Sequence, residues 1–481
     1  MLLTLVSIYL FVSILIGLVA ARQVHSAQDY ITAGRHMPMP VVMAMVFATW
    51  FGAETVLGVS ATFLEEGFRG LISDPLGASL CLVLFGLIFA LPLYRMKLLT
   101  LGDFFKRRYN RQTELIISLC IVVSYLGWVS AQITALGLVF NVLSNDTVSM
   151  QMGMIIGAAV VLTYTLFGGM WSVAATTFIQ MIVIVVGLLI VTWMAGDMAG
   201  GFEPVIAKAA AEGKFDWLPT LEPLDMLGWA AALMTMALGS IPQQDVFQRV
   251  NASKNESVAV WGTTLGGVAY FIFAAVPLFL AYSASMIDAD LTAKLMDQDS
   301  QLVLPTLVLQ YMPFWVQVVF FGALLSVIMS TASGTLLAPA VTFAENVLKG
   351  GQPHMSDRQL LLTTRITVAV FTVMVTSYAL LTDESIHGMV ENAYRITLAG
   401  AFVPLAAGLF WRKASNLGAS LSIFFGLGTW LLLEASGAEL LVEPQLIGLF
   451  FSLIGMVIGS TLSPNPHRGH QHGLSPGAEH R

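Results

Sequence analysis

The chain is poor in charge. Asp, Glu, Lys and Arg make up 11% of its 481 residues, while 57% are apolar; an ordinary soluble domain carries about 25% charged residues. So few charges cannot cover the surface of a water-soluble protein of this size. Cysteine is almost absent. Cys81 and Cys120 both fall within apolar runs, where a thiol acts as a small hydrophobe, so no disulfide framework follows. No histidine lies deep in an apolar run and neither HExxH nor GxSxG occurs, so no enzymatic activity is expected. No Pro/Ser-rich linker or soluble module interrupts the pattern.

Apolar sequence is what the chain has in abundance. Runs long enough to cross a hydrocarbon layer of about 30 Å as helices lie near residues 2–21, 41–64, 74–94, 115–143, 150–168, 172–196, 226–243, 258–283, 315–344, 361–382, 386–410, 416–433 and 444–462. The first is too long for a secretory signal and no basic residue precedes it, so a retained spanning helix is expected. The pattern predicts an all-α integral membrane protein of about 13 transmembrane helices, one domain over residues 1–463. The tail 464–481 is polar and Pro/Gly-rich, with His467, His470, His472 and His480, and is expected to be a disordered cytoplasmic segment.

An odd number of crossings puts the termini on opposite sides, and basic residues concentrate in cytoplasmic loops. With the N-terminus outside, 17 of the 22 Lys and Arg fall inside, Arg69, Lys208, Lys214 and Lys294 fall outside, and Arg395 lies within a run. The expectation is a multi-pass protein of the cell membrane, a bacterial inner membrane, with N-terminus out and C-terminus in. The basic cluster from Lys106 to Arg111 is expected to sit against membrane lipid rather than nucleic acid. No obligate protein partner is evident.

Two runs carry the anomalies expected of interrupted helices. In FATWFGAETVLG, Phe47 to Gly58, Gly52 and the carboxylate Glu54 stand inside an apolar helix; in LGSIPQQ, Leu238 to Gln244, Pro242 removes a helix hydrogen bond and two amides follow. Five runs separate their starts, so residues 41–196 and 226–410 could form two inverted five-helix repeats. In GALLSVIMSTASGT, Gly322 to Thr335, the spacing i, i+3, i+4 puts Val327, Ser330 and Thr331 on one helix face. Such neutral oxygens suit a hard monovalent cation when an interrupted helix opposite adds carbonyls.

These segments, with YTLFGGMWSVAATTFIQ (Tyr164–Gln180), GSIPQQDVFQRV (Gly239–Val250), LPTLVLQYMP (Leu304–Pro313) and AGAFVPLAAGLFWRKASNLGA (Ala399–Ala419), resemble the sodium:solute symporter family over essentially the whole chain before the tail. The resemblance implies a LeuT-type core over about residues 41–410, flanking helices, an external N-terminus and sodium-coupled symport of a small organic solute by alternating access. It also implies a transported sodium ion held by backbone oxygens of Ala48, Phe51 and Val327 and hydroxyls of Ser330 and Thr331. The family's proline-carrying branch has an aspartate in the first break, where this chain has Trp50.

Trp50 and Trp128 match two tryptophans with which the choline-carrying branch surrounds a quaternary ammonium, whereas Gln243 replaces a third. Trp50, Glu54, Trp128, Gln243 and Gln244 are the expected solute contacts, suited to an amine, an amino acid or another polar solute. Glu391 and Arg395 are spaced to pair at i, i+4; Asp245 and Arg249 repeat that spacing, as a gate contact or a solvated ion pair. A sensory membrane domain working with a separate signalling partner, and proton rather than sodium coupling, are the competing readings.

Overall fold

In lipid every backbone N–H and C=O must find its partner within the protein, so long apolar runs fold as helices. The computed structural model describes residues 1–351, 354–437 and 441–463, and contains no named β-strand among them. The expected disordered tail lies outside the described residues. Among the described residues nine helices are long and apolar enough to cross a membrane, or eleven if two bent pairs each count as one span. Large apolar side chains such as Phe11, Trp193, Ile272, Val373 and Leu432 remain exposed on the periphery, as lipid-facing residues should.

The expected thirteen crossings exceed that number because of two long segments. One, Met150–Met198, is a 49-residue helical run broken at Gly169, where φ 49° and ψ −135° are closed to most side chains. A Cβ there would also lie 2.4 Å from the carbonyl of Tyr30. The other, Glu54–Arg95, carries non-helical backbone at Gly67 and Asp74.

The elements that frame the centre are α1 (Met39–Trp50), α2 (Val59–Glu66), α3 (Leu101–Arg108), α4 (Arg111–Leu143), α5 (Met150–Met198), α6 (Pro223–Gly239), α7 (Gln244–Ala252), α8 (Glu256–Ile287), α9 (Phe314–Thr342), α10 (Ile386–Ala393), α11 (Arg395–Gly400), α12 (Phe402–Phe410), α13 (Asn416–Ser436) and α14 (Pro444–Leu462). α9 is almost wholly buried and packs along α5, α4 and α1. α13 and α14 pack chiefly on each other, joined by the Ser422 and Ser452 hydroxyls at 2.7 Å.

Both expected interruptions are present. α1 ends at Trp50, Phe51 leaves the helix at φ −84°, ψ 77°, and a π-turn over Glu54–Gly58 leads into α2. α6 and α7 are bent by 43° across Ser240–Gln243. A third bend of 48°, between Ile386–Gly400 and Phe402–Phe410, falls at Ala401 between Gly400 and Pro404 and was not among the expected interruptions.

One side of the molecule is tied by polar bonds to the end of α7. Met37 N donates to Ala252 O at 2.9 Å, Lys254 N donates to Met37 O at 3.0 Å, and the Tyr94 hydroxyl donates to Ser253 O at 2.9 Å. The basic cluster divides there. Lys106 and Arg107 are exposed, whereas Arg108 donates to the carbonyls of Gly408, Trp411 and Ala414 and so closes the C-terminal end of α12.

Candidate functional site

A helix break frees backbone groups that must find other partners, and at the first break these partners build the site. Gln132 of α4 accepts from Ala53 N at 3.1 Å through its amide oxygen, and its amide nitrogen donates to Glu54 Oε2 at 2.7 Å. Trp128, one turn earlier, donates its indole N–H to Glu54 Oε1 at 3.1 Å. At the second break the Thr397 hydroxyl donates to Gly239 O at 2.6 Å, and the Gln243 amide donates to Ser124 Oγ at 3.0 Å.

On one flank of the first break lie neutral oxygens. The Ser330 hydroxyl is 2.8 Å from Ala48 O and 2.9 Å from Val327 O, and the Thr331 hydroxyl is 3.2 Å from Ala48 O. Four of the five expected cation ligands therefore meet between α1 and α9. Phe51, the fifth, stands three residues beyond Ala48, where α1 has ended. All five residues are fully buried. Hydroxyl and carbonyl oxygens here keep free lone pairs, so the donor set suits a hard cation.

On the other flank lies an aromatic cluster. Trp50 and Trp128 meet edge to face at 5.4 Å; Tyr394 stacks on Trp50 at 6.1 Å and meets Trp128 at 5.7 Å; Tyr125 stacks on Trp128 at 6.0 Å. The exposures are 2% for Trp50 and 1% for each of the other three, so the cluster is closed to solvent. Trp50 donates its indole N–H to Asp245 Oδ2 at 3.0 Å, and the Tyr125 hydroxyl donates to Asp245 Oδ1. Two carboxylates, Glu54 and Asp245, thus flank the rings.

Three sequence expectations need correction. Gln244 points away from the rings: its amide oxygen accepts from Leu101 N at 2.8 Å, at the start of α3, because the break rotates consecutive amides to opposite sides of α7. Glu391 and Arg395 do not pair with each other. The helix is interrupted between them at Tyr394 (φ −94°, ψ −9°), so Arg395 reaches Glu434 at 3.6 Å and Glu391 lies 3.9 Å from His387. Asp245 and Arg249 form no solvated pair. Both are fully buried, and Arg249 donates to the main-chain carbonyl of Asp245 at 2.6 Å and to the Thr49 hydroxyl at 2.7 Å.

Tyr125, Gln132 and Tyr394 were not among the expected site residues. Tyr125 and Gln132 flank Trp128 at i−3 and i+4, a helical face readable from spacing. Tyr394 had no such signal, since it stands on a separate segment, at the interruption between α10 and α11.

The human high affinity choline transporter 1 is 28% identical over 414 residues, covering 83% of this chain and 70% of the relative. The sodium/proline symporter of Escherichia coli strain K12 is 24% identical over 477 residues, 95% of this chain and 92% of that one. Among solved structures, a Na⁺-coupled sialic acid symporter in a substrate-bound outward-open state superposes with a TM-score of 0.81 at 18% identity, covering 96% of this chain and 98% of the other. A nucleobase-cation-symport-1 family transporter in a closed conformation gives 0.55 at 13% identity, covering 90% and 95%. The fold is that of LeuT-type carriers. The profile of the sodium:solute symporter family matches residues 30–426, and the chain belongs to that family as a multi-pass membrane carrier that couples movement of a small solute to sodium.

Proposed function

We propose that the solute is a small organic cation, an amine or the cationic end of an amino acid, carried together with one sodium ion at the Ala48–Ser330–Thr331 face. The observation that carries this reading is the cluster of four aromatic rings between two buried carboxylates. Aromatic faces attract a cation through their quadrupole, and buried carboxylates without a partner are costly in a membrane. The choline-transporting relative points to the same class of solute. Trp50, Glu54, Trp128 and Gln243, joined by Tyr125, Asp245 and Tyr394, are the proposed solute residues; Ala48, Phe51, Val327, Ser330 and Thr331 are the proposed sodium ligands. The solute leaves chemically unchanged.

Dividing Met150–Met198 at Gly169, and Glu54–Arg95 between α2 and the helix that follows, gives thirteen crossings with the bent pairs included. That count, inverted repeats over residues 41–196 and 226–410, an external N-terminus and a bacterial inner membrane form the proposed topology. It rests on the matched interruptions and the lysine and arginine distribution. Lipid contact for Lys106 and Arg107 belongs to the same reading.

Uptake of labelled ammonium solutes into proteoliposomes, under sodium and proton gradients imposed separately, tests the function. Accumulation should follow the sodium gradient. Uptake driven by protons alone, or by neither gradient for any amine, would overturn it.

A further inference from the structure

Asp245 is the second residue of α7, directly after the Pro242 break, and its side chain forms an edge of the aromatic cluster. Its side-chain oxygens are both engaged by neighbouring donors. The indole N–H of Trp50 can only donate, and it donates to Oδ2 at 3.0 Å. The Tyr125 oxygen accepts from Asp245 N at 2.9 Å, so its own hydrogen is free for Oδ1. Both side-chain oxygens thus act as acceptors.

Among the described residues the Asp245 side chain forms no ion pair, and Arg249 acts on it only at longer range. Arg249, one turn further along α7, spends its Nη1 on the main-chain carbonyl of Asp245 and its Nη2 on Thr49. An ionised carboxylate offers about four lone-pair sites, of which Trp50 and Tyr125 occupy two. A second observation points to a ligand at the same place. The Tyr394 hydroxyl has no hydrogen-bond partner among the described residues although the residue is 1% exposed, and it lies within electrostatic reach of Asp245. Its ring stacks on the same Trp50 that donates to Asp245.

A fully substituted ammonium uses only the ring faces, because it has no N–H to donate. A protonated amine uses the same faces and adds a charge-assisted hydrogen bond to the open lone pairs. A site with a buried group built to hydrogen-bond its solute discriminates against an analogue that lacks the matching hydrogen. We propose that Asp245 makes this carrier select ammonium solutes that retain an N–H over quaternary ones. The proposal rests on the organic-cation reading above.

The test compares N,N-dimethylethanolamine, protonated at neutral pH, with choline, which differs by one methyl in place of the N–H. Sodium-dependent thermal shift and competition for uptake are measured on the full chain in proteoliposomes or detergent. The wild-type protein should favour the tertiary amine by about tenfold or more, and Asp245→Asn should bring that ratio close to one. The shift produced by sodium alone monitors the folded state of the variant. A wild-type protein that binds both equally, or prefers choline, overturns the proposal while leaving the organic-cation reading intact; so does an Asp245→Asn protein that keeps the ratio. Failure of every ammonium compound to bind, with neutral solutes accepted, overturns both.

Discussion

The two flanks of the α1 break present opposite kinds of polar surface. Towards α9 the oxygens are neutral: a carbonyl at Ala48, another at Val327 and the hydroxyls of Ser330 and Thr331. Towards α4 and α7 they are carboxylates, Glu54 and Asp245, interleaved with four rings. A bare monovalent ion needs several hard oxygens at short range and little else. An organic cation is larger and its charge is spread, so faces and fixed anions suit it better. One interruption of one helix exposes both kinds of surface, so the two proposed cargo sites would lie a few residues apart.

The comparison breaks hardest at the neutral flank. Replacing Ser330 and Thr331 together by Ala should reduce sodium-dependent uptake to background, at a stability cost of about 1–3 kcal/mol for the Ala48 carbonyl left unpaired, which an unfolding measurement reads separately. Retained coupling in that double variant would remove the sodium assignment. At the other flank, Trp128→Ala deletes a ring and the donor to Glu54. A loss of about 2 kcal/mol, roughly 30-fold in apparent affinity for the solute, is expected with sodium affinity little changed; equal losses for both cargoes would show that the flanks are not separable.

Gly334→Ala probes the space between the flanks. A Cβ there would lie 2.2 Å from Arg249 Nη2 and 3.1 Å from Thr49 Oγ1. Displacing a buried guanidinium should cost about 1–3 kcal/mol in unfolding measurements and weaken transport through Thr49, the neighbour of Ala48. The smallest effect belongs to Arg108→Ala. It removes bonds to three carbonyls at the end of α12 and should lower stability by about 1 kcal/mol, with turnover per folded molecule unchanged.

Much of this arrangement was legible along the chain. Trp50 and Glu54 stood out because a large amphipathic ring and an acid interrupt an apolar run, and Pro242 marked the second break by its missing N–H. The hydroxyl face of α9 followed from helical spacing alone. Gln244 misled because a break changes which direction consecutive side chains take, and spacing rules hold only within an unbroken helix. Asp245 and Arg249 misled for a related reason: near the end of an apolar run they resemble a solvated pair, and only the packing of α7 against α8, α9 and α1 reveals that both are enclosed.

The sequence by itself determined that the chain lies in a membrane, where two of its helices break and which face of α9 carries hydroxyls. These are local properties, set by hydrocarbon thickness, backbone chemistry and the 3.6-residue turn. The aromatic cluster was decided by tertiary structure, because Trp50, the Tyr125–Trp128 pair of α4, Asp245 and Tyr394 come from four separate segments of the chain. Apart from the i, i+3 spacing of Tyr125 and Trp128, no period in the chain links them. They meet because freed backbone groups at the breaks draw Gln132 and Thr397 into bonds, and those bonds fix how the neighbouring helices face one another.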